Sequence, residues 1–230
     1  MQTSFWTKLL DLVSPRCCVS CGRRLSAEES VLCPSCRLHL PLTDFVLQPF
    51  DNQMARMFWG KMPVEKVASY FFYEPKTVSA DVVHALKYHG RDDVAEALGC
   101  MVARRFARYD FFSGIDVIVP VPLTRRRLWQ RGYNQSLSVA RGISSVTGVP
   151  VEQALKRTRF AGSQTRLRAE ERQSNVEGAF RLRRAEAVRG RHVLLVDDVV
   201  TTGATMLACG HELLQAEGVK ISILSLGLTR

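Results

Sequence analysis

Long apolar runs are missing from this sequence of 230 residues. No stretch approaches the roughly 20 apolar residues that span a bilayer, so membrane insertion is not expected. The N-terminal run from Phe5 to Val13 is broken by Lys8 and Asp11, with no basic lead-in and no small-residue cleavage site. It does not read as a secretory signal, and a cytoplasmic protein is expected. A Walker loop, a dinucleotide fingerprint and a Ser-His-Asp arrangement are also missing. Histidine is scarce at five residues, and His84 and His211 have no companions at metal-ligand spacing. Hydrophobic residues make up 46% and charged residues 23%, the balance of an ordinary globular chain rather than of a disordered, collagen-like or disulfide-dense one.

The positive charge is unevenly placed. Residues 1–100 carry eleven Lys/Arg against eleven Asp/Glu, whereas residues 101–230 carry twenty-one against eleven and account for the whole net charge of +10. All but Lys156 and Lys220 of those twenty-one are arginine, whose planar fork of donors suits phosphate. The C-terminal part is therefore expected to face an anion, either nucleic acid or a phosphorylated small molecule.

Five of the seven cysteines, Cys17, Cys18, Cys21, Cys33 and Cys36, crowd into the N-terminal part, with Cys100 and Cys209 apart from them in helical patterns. Cys18-Val19-Ser20-Cys21 and Cys33-Pro34-Ser35-Cys36 form two knuckles separated by eleven residues. Each knuckle aims two sulfurs at one point, and two knuckles complete the four-thiolate shell of a structural Zn²⁺ site. The alternative is four free or disulfide-bonded cysteines. Cys17 competes with Cys18, but the two-residue spacing and the following Gly22 favour Cys18, Cys21, Cys33 and Cys36 as ligands.

From Val64 onward strands and helices alternate. Strands are expected over 64–73, 116–122, 151–155, 191–196 and 219–228, with helices over 78–90, 92–109, 134–148 and 203–217. That order predicts an α/β fold with an open, mostly parallel sheet. Residues 156–190, rich in Arg, read as a long loop with a short helix near 169–173. The most informative stretch runs from Val193 to Thr205. Val193-Leu194-Leu195-Val196 forms a buried strand, Asp197 and Asp198 stand where it should end, and Thr201-Thr202-Gly203-Ala204-Thr205 opens a helix. Helix N-termini present unpaired N–H groups that favour phosphate. Two carboxylates beside such a cradle suit a pair of sugar hydroxyls. An ordinary strand–turn–helix with an Asp cap is the plain alternative, but it does not account for paired acids followed by Thr-Thr-Gly-x-Thr.

This stretch resembles the 5-phosphoribosyl 1-pyrophosphate motif of type I phosphoribosyltransferases. The cysteine knuckles, Leu86-Lys87-Tyr88-His89-Gly90, Val119-Pro120-Val121-Pro122, Arg131-Gly132-Tyr133-Asn134-Gln135 and Asn175-Val176-Glu177-Gly178-Ala179-Phe180 extend the resemblance to the ComF/GntX family over nearly the whole chain. The resemblance implies a zinc-ribbon-like module over 1–45, a linker and possible hood over 46–90, and a phosphoribosyltransferase domain over 91–230. It also implies that Asp197 and Asp198 hold the ribose hydroxyls, and that Thr201, Thr202, Gly203, Ala204 and Thr205 hold the 5′-phosphate. The loop after Val119-Pro120-Val121-Pro122 corresponds to a pyrophosphate loop, with Arg125, Arg126 and Arg127 as its cations or, equally, as a solvated charge run. Lys87 is a weaker candidate for the pyrophosphate.

The implied ligand is 5-phosphoribosyl 1-pyrophosphate with Mg²⁺, or a nucleotide. The implied activity is a glycosyl transfer to an acceptor that the motifs do not encode, in a family associated with competence, DNA uptake and use of extracellular DNA. A non-catalytic sensor of the phosphoribosyl ligand, or an adaptor holding single-stranded DNA or a helicase-like or DNA-uptake partner, is the alternative. Residues 157–175 are expected to form a lid, the alternative being a disordered basic insertion. The sequence ends directly after its last expected strand, so an acceptor hood is expected either to come from 46–90 or to be absent. Trp129 and Tyr133 lie among arginines and are candidates for base stacking, although packing at the helix start is the more common fate of such side chains. The span from Lys156 to Arg191 sets eleven cations against four acids, with Arg181, Arg183 and Arg184 as candidate contacts to a strand.

Overall fold

A computed structural model describes residues 16–88, 90–158 and 178–230. Four strands form one all-parallel sheet in the order β1-β6-β5-β2, with β1 at Val67–Tyr73, β2 at Val117–Pro120, β5 at His192–Val200 and β6 at Lys220–Thr229. A second, two-stranded antiparallel ribbon pairs β3 (Leu155–Arg157) with β4 (Phe180–Leu182). The described α-helices are α1 (Pro34–Leu38), α2 (Val78–Lys87), α3 (Asp92–Phe106), α4 (Arg125–Arg131), α5 (Gln135–Thr147) and α6 (Ala204–Leu213). The expected α/β class with a parallel sheet is what forms.

The central strands are buried on both faces, which is why β5 reads as a near-continuous apolar run. Alternate residues part to the two sides. Leu194 and Val196 join a core with Leu98, Val102, Val139 and Ile143 of α3 and α5, whereas Val193 and Leu195 join Met206, Cys209 and Leu213 of α6. Helices α3 and α5 approach so closely that a Cβ on Gly99 would strike the Val139 backbone, and one on Gly142 the Glu96 backbone. Only glycine fits at that crossing. The ends of these helices follow ordinary capping chemistry: Asn134 accepts from the Ser136 N–H at 3.2 Å at the start of α5, and Gly148, at φ 74°, ends it.

Several expectations are corrected. Strand β5 does not stop at Val196 but runs to Val200, because β6 continues beside it and pairs Asp197 with Ser225, Val199 with Gly227 and Val200 with Leu228. The two acids therefore lie within the last part of the strand rather than beyond it. The strand expected over 151–155 reduces to a single bridge between Val151 and Ile118, and the chain pairs elsewhere, in β3. Arg125 to Arg131, expected as loop, is helical, with the Thr124 hydroxyl accepting from the Arg127 N–H at 3.2 Å and Gly132 at φ 79° closing it.

Within 46–90, Met54, Ala55 and Phe58 are fully buried against the α6 side of the sheet, while β1 and α2 extend the other core. The cysteine module merges into that same core through Leu25, Val31, Leu32 and Leu40. The N-terminal apolar run, His89, most of the expected lid, the 169–173 helix and residues 175–177 lie outside the described residues. Among the described residues, no helix is long and apolar enough to cross a membrane.

Candidate functional site

Parallel sheets place ligands at the carboxyl ends of their strands, and the chain gathers its candidates there. Asp197 is buried, with Oδ1 accepting from the Ser136 hydroxyl at 2.8 Å and from the Asp198 N–H at 2.9 Å. Burial first, and the neighbouring Asp198 charge second, push the Asp197 carboxyl well above the ordinary carboxylate range. Asp198 is more open. Its Oδ1 accepts from the Val199 N–H at 2.7 Å, and its Oδ2 lies 3.8 Å from Nη1 of Arg131. Two adjacent acids thus have different environments, one clamped beneath the site and one facing a cation.

Beyond the acids, residues 199–206 curl around a small concavity together with Asp197. The Thr201 and Thr202 side chains are exposed, and Gly203 takes φ 75° as the residue before α6. It supplies no side-chain cap, so the first N–H groups of α6 are left for a ligand or water. A Cβ on Gly203 would sit 3.3 Å from the Phe58 ring, so the loop is braced from behind by the 46–62 segment. The arrangement can hold a tetrahedral anion at the helix start and polar hydroxyls beside the two acids.

The expected cations are spread around this centre. The Val121 N–H donates to the Val196 carbonyl at 2.9 Å, so the exit of β2 lies beside Asp197. Arg125, Arg126 and Arg127 follow on α4 and are exposed. Lys87 is the last residue of α2. The preceding Leu86 carbonyl receives the Tyr133 hydroxyl at 2.7 Å, which ties that helix end to the turn that follows Arg131 at the end of α4. Arg157 stacks over the Phe180 ring at 5.0 Å, and its guanidinium feels both the Arg127 and the Asp197 charges.

Sequence reasoning missed Ser136 as the partner of Asp197 and Arg131 as the partner of Asp198. Arg131 also donates to Gln135 Oε1 at 2.8 Å, so the Arg-Gly-Tyr-Asn-Gln run is the scaffold beneath the acids. That run was legible as a motif, but nothing in it showed which acid it would meet. Tyr133 is half-buried and engaged, unlike Trp129, which is 87% exposed. Of the arginines expected to contact a strand, Arg181 pairs with Glu212 at 2.9 Å and Arg184 with Glu152 at 2.7 Å. Only Arg183 of the three makes no ion pair among the described residues.

At the other end of the chain, the sulfurs of Cys18, Cys21, Cys33 and Cys36 all lie within 4.8 Å of one another. A tetrahedron with zinc–sulfur bonds of about 2.3 Å has sulfur–sulfur edges of about 3.8 Å. The Cys21 and Cys33 sulfurs are 3.7 Å apart. The Cys33 N–H reaches the Cys18 sulfur at 3.4 Å, and the Cys36 N–H reaches the Cys33 sulfur at 3.5 Å, the outer-shell bonds that orient thiolates. The cluster can hold a metal ion, and its donors fit Zn²⁺. Cys17 is exposed and outside the cluster, and Cys18 is the member of the pair that joins it.

Residues 134–226 match the phosphoribosyl transferase domain family. The chain is 31% identical over 215 residues to DNA utilization protein YhgH of Escherichia coli strain K12, covering 90% of this chain and 87% of that protein. Competence protein F of Haemophilus influenzae is 27% identical over 205 residues, covering 82% of this chain and 86% of that one. Among solved structures, glutamine phosphoribosylpyrophosphate amidotransferase from B. subtilis is similar at a TM-score of 0.42 and 24% identity, over 61% of this chain and 30% of that one.

Proposed function

The chain belongs to the ComF family, and on that premise we propose that it binds 5-phosphoribosyl 1-pyrophosphate with Mg²⁺ at the acid–threonine loop and transfers the phosphoribosyl group to an acceptor, in the cytoplasm and in the service of DNA utilization. The observation that carries this reading is the buried, doubly hydrogen-bonded Asp197 directly beside the partly open Asp198 and the uncapped start of α6. Asp197 and Asp198 accept the ribose hydroxyls. Thr201, Thr202, Gly203, Ala204 and Thr205 hold the 5′-phosphate through backbone N–H groups and hydroxyls. Arg125 and its neighbours on α4, with Lys87 at the end of α2, face the pyrophosphate. The hard carboxylate oxygens of Asp197 and Asp198 fit Mg²⁺ chemistry. When bound, the ion supplies charge neutralisation at the departing pyrophosphate.

In the transfer, the bond from the anomeric carbon to the pyrophosphate oxygen breaks as a bond to the acceptor forms. The arginines stabilise the charge that leaves, a preorganised electrostatic contribution of the kind that dominates many enzymes. Residues 1–45 form the Zn²⁺ module in this reading, 46–90 the connecting and hooding stretch and 91–230 the transferase domain. The test is calorimetry with 5-phosphoribosyl 1-pyrophosphate and Mg²⁺, followed by a pyrophosphate-release assay across acceptors. Saturable binding with release supports transfer, and no binding rejects the reading.

Single-stranded DNA handling is a second reading, and Trp129 favours it. This side chain is 87% exposed next to Arg125, Arg126 and Arg127, the pairing of ring and cation that stacks a base while following its phosphates. Trp129→Ala with no effect on binding of an oligonucleotide would remove that support.

A further inference from the structure

The seam between the cysteine module and α3 holds a cleft that the proposed transfer does not use. Its volume is about 390 Å³, within the roughly 300–1,000 Å³ of small-molecule sites. Leu32, Leu42 and Tyr70 give it an apolar floor, and its rim carries Arg37 from α1 with Arg104, Arg105 and Arg108 from the end of α3 and the turn after it. Arg37, Arg104 and Arg108 make no ion pair among the described residues. Arg105 donates to the Thr43 carbonyl at 3.3 Å and lies 3.7 Å from the Asp44 carboxylate, and its Nε is buried without an acceptor. Of the two acids at the rim, Glu29 is already engaged by Arg23 at 2.8 Å and by the Ser26 N–H at 2.7 Å, and Glu28 is exposed, leaving four cations against one carboxylate not engaged by an arginine.

Three of these four guanidiniums, from two separate parts of the chain, line one cleft without a carboxylate partner among the described residues, and an anion between them would relieve their like charge. Their forked donors match phosphate oxygens, and so many cations call for a dianion. We propose that this cleft binds a phosphomonoester of mononucleotide size, with its phosphate among Arg37, Arg104, Arg105 and Arg108 and its remainder on the Leu32–Leu42–Tyr70 floor. Arg37 directly follows Cys36, so the ligand bridges the metal module and the sheet domain, and its affinity depends on the metal. This inference stands whether or not the acid–threonine loop binds a phosphoribosyl group.

The experiment is calorimetry on the full chain, both as it stands and with Asp197→Asn and Asp198→Asn, which removes ribose contacts at the other site. Adenosine 5′-monophosphate, adenosine and inorganic phosphate are the probes. The nucleotide is expected to saturate in both proteins, phosphate to bind more weakly, and adenosine not to bind. Arg104→Ala with Arg108→Ala, both exposed positions, should weaken the nucleotide by about tenfold or more without lowering Tm. A 5′-phosphorylated oligonucleotide that competes supports a strand end as the source, and one that does not compete supports a free metabolite. Failure of the nucleotide to saturate, equal binding of adenosine or phosphate, or unchanged binding in the arginine variant would overturn the proposal.

Discussion

The cysteine module and the acid–threonine loop are both short motifs, yet they are held in opposite ways. The four sulfurs come from within nineteen residues, and backbone N–H groups of the same knuckles orient them. Asp197 depends on Ser136, 61 residues away, and the loop beyond it is braced by Phe58 from another part of the chain. The cysteine cluster carries its own organiser, whereas the acid–threonine loop borrows its geometry from the whole sheet. Damage should therefore stay local in the first and spread in from a distance in the second.

Stripping the metal with a chelator should have the largest effect, since structural zinc contributes roughly 10–16 kcal/mol of apparent binding free energy. Hydrogen exchange is expected to show residues 18–40 losing protection while β5 and β6 keep theirs. Equal loss in both regions would show that the two are one cooperative unit.

Asp197→Asn with Asp198→Asn comes next. Charged hydrogen bonds contribute about 1.5–3 kcal/mol each, so affinity for 5-phosphoribosyl 1-pyrophosphate should fall at least about a hundredfold. The single change Asp197→Asn should also stabilise the protein. The folded state holds the Asp197 proton above the pH at which the unfolded chain releases it, so stability is lost as pH rises between the unfolded value and the raised folded one. Asn removes that loss, which predicts a higher Tm than the parent at pH 8 and no gain near pH 4. A lower Tm at pH 8 would contradict the assigned cause of the shift.

These outcomes bear on what the sequence could show. Strand β5 was legible because four apolar residues and two acids mark it, and the cysteine cluster because its four sulfurs are close in the chain. The run of β5 to Val200 was not legible, since it depends on where β6 continues. Helix α4 was hidden by a run of arginines whose caps, Thr124 and Gly132, signal an end only once the turn is seen. Ser136 had no local signal at all, because its role arises from where α5 begins relative to Asp197.

Ser136→Ala sharpens the contrast at a smaller scale. It leaves the acids in place but removes the long-range bond to Asp197, and calorimetry should find ligand affinity about tenfold weaker. An unchanged affinity would mean that the acid is positioned locally after all. The smallest expected effect concerns nucleic acid. Changing Arg125, Arg126 and Arg127 to Gln should flatten the log–log salt dependence of oligonucleotide binding by about 0.7 for each phosphate that is no longer neutralised. The same change at Arg181 and Arg184, already paired with Glu212 and Glu152, should leave the slope alone. Fluorescence anisotropy at several salt concentrations separates the two surfaces.

The central claim is that Asp197 and Asp198 read sugar hydroxyls beside a phosphate cradle. It is tested most directly by comparing ribose 5-phosphate with 2-deoxyribose 5-phosphate in one calorimetric series. The account predicts that the deoxy sugar binds about tenfold more weakly, since it leaves a charged acceptor without its hydroxyl. It further predicts that the difference disappears when both acids are changed to Asn. Equal affinity for the two sugars in the unaltered protein would contradict it.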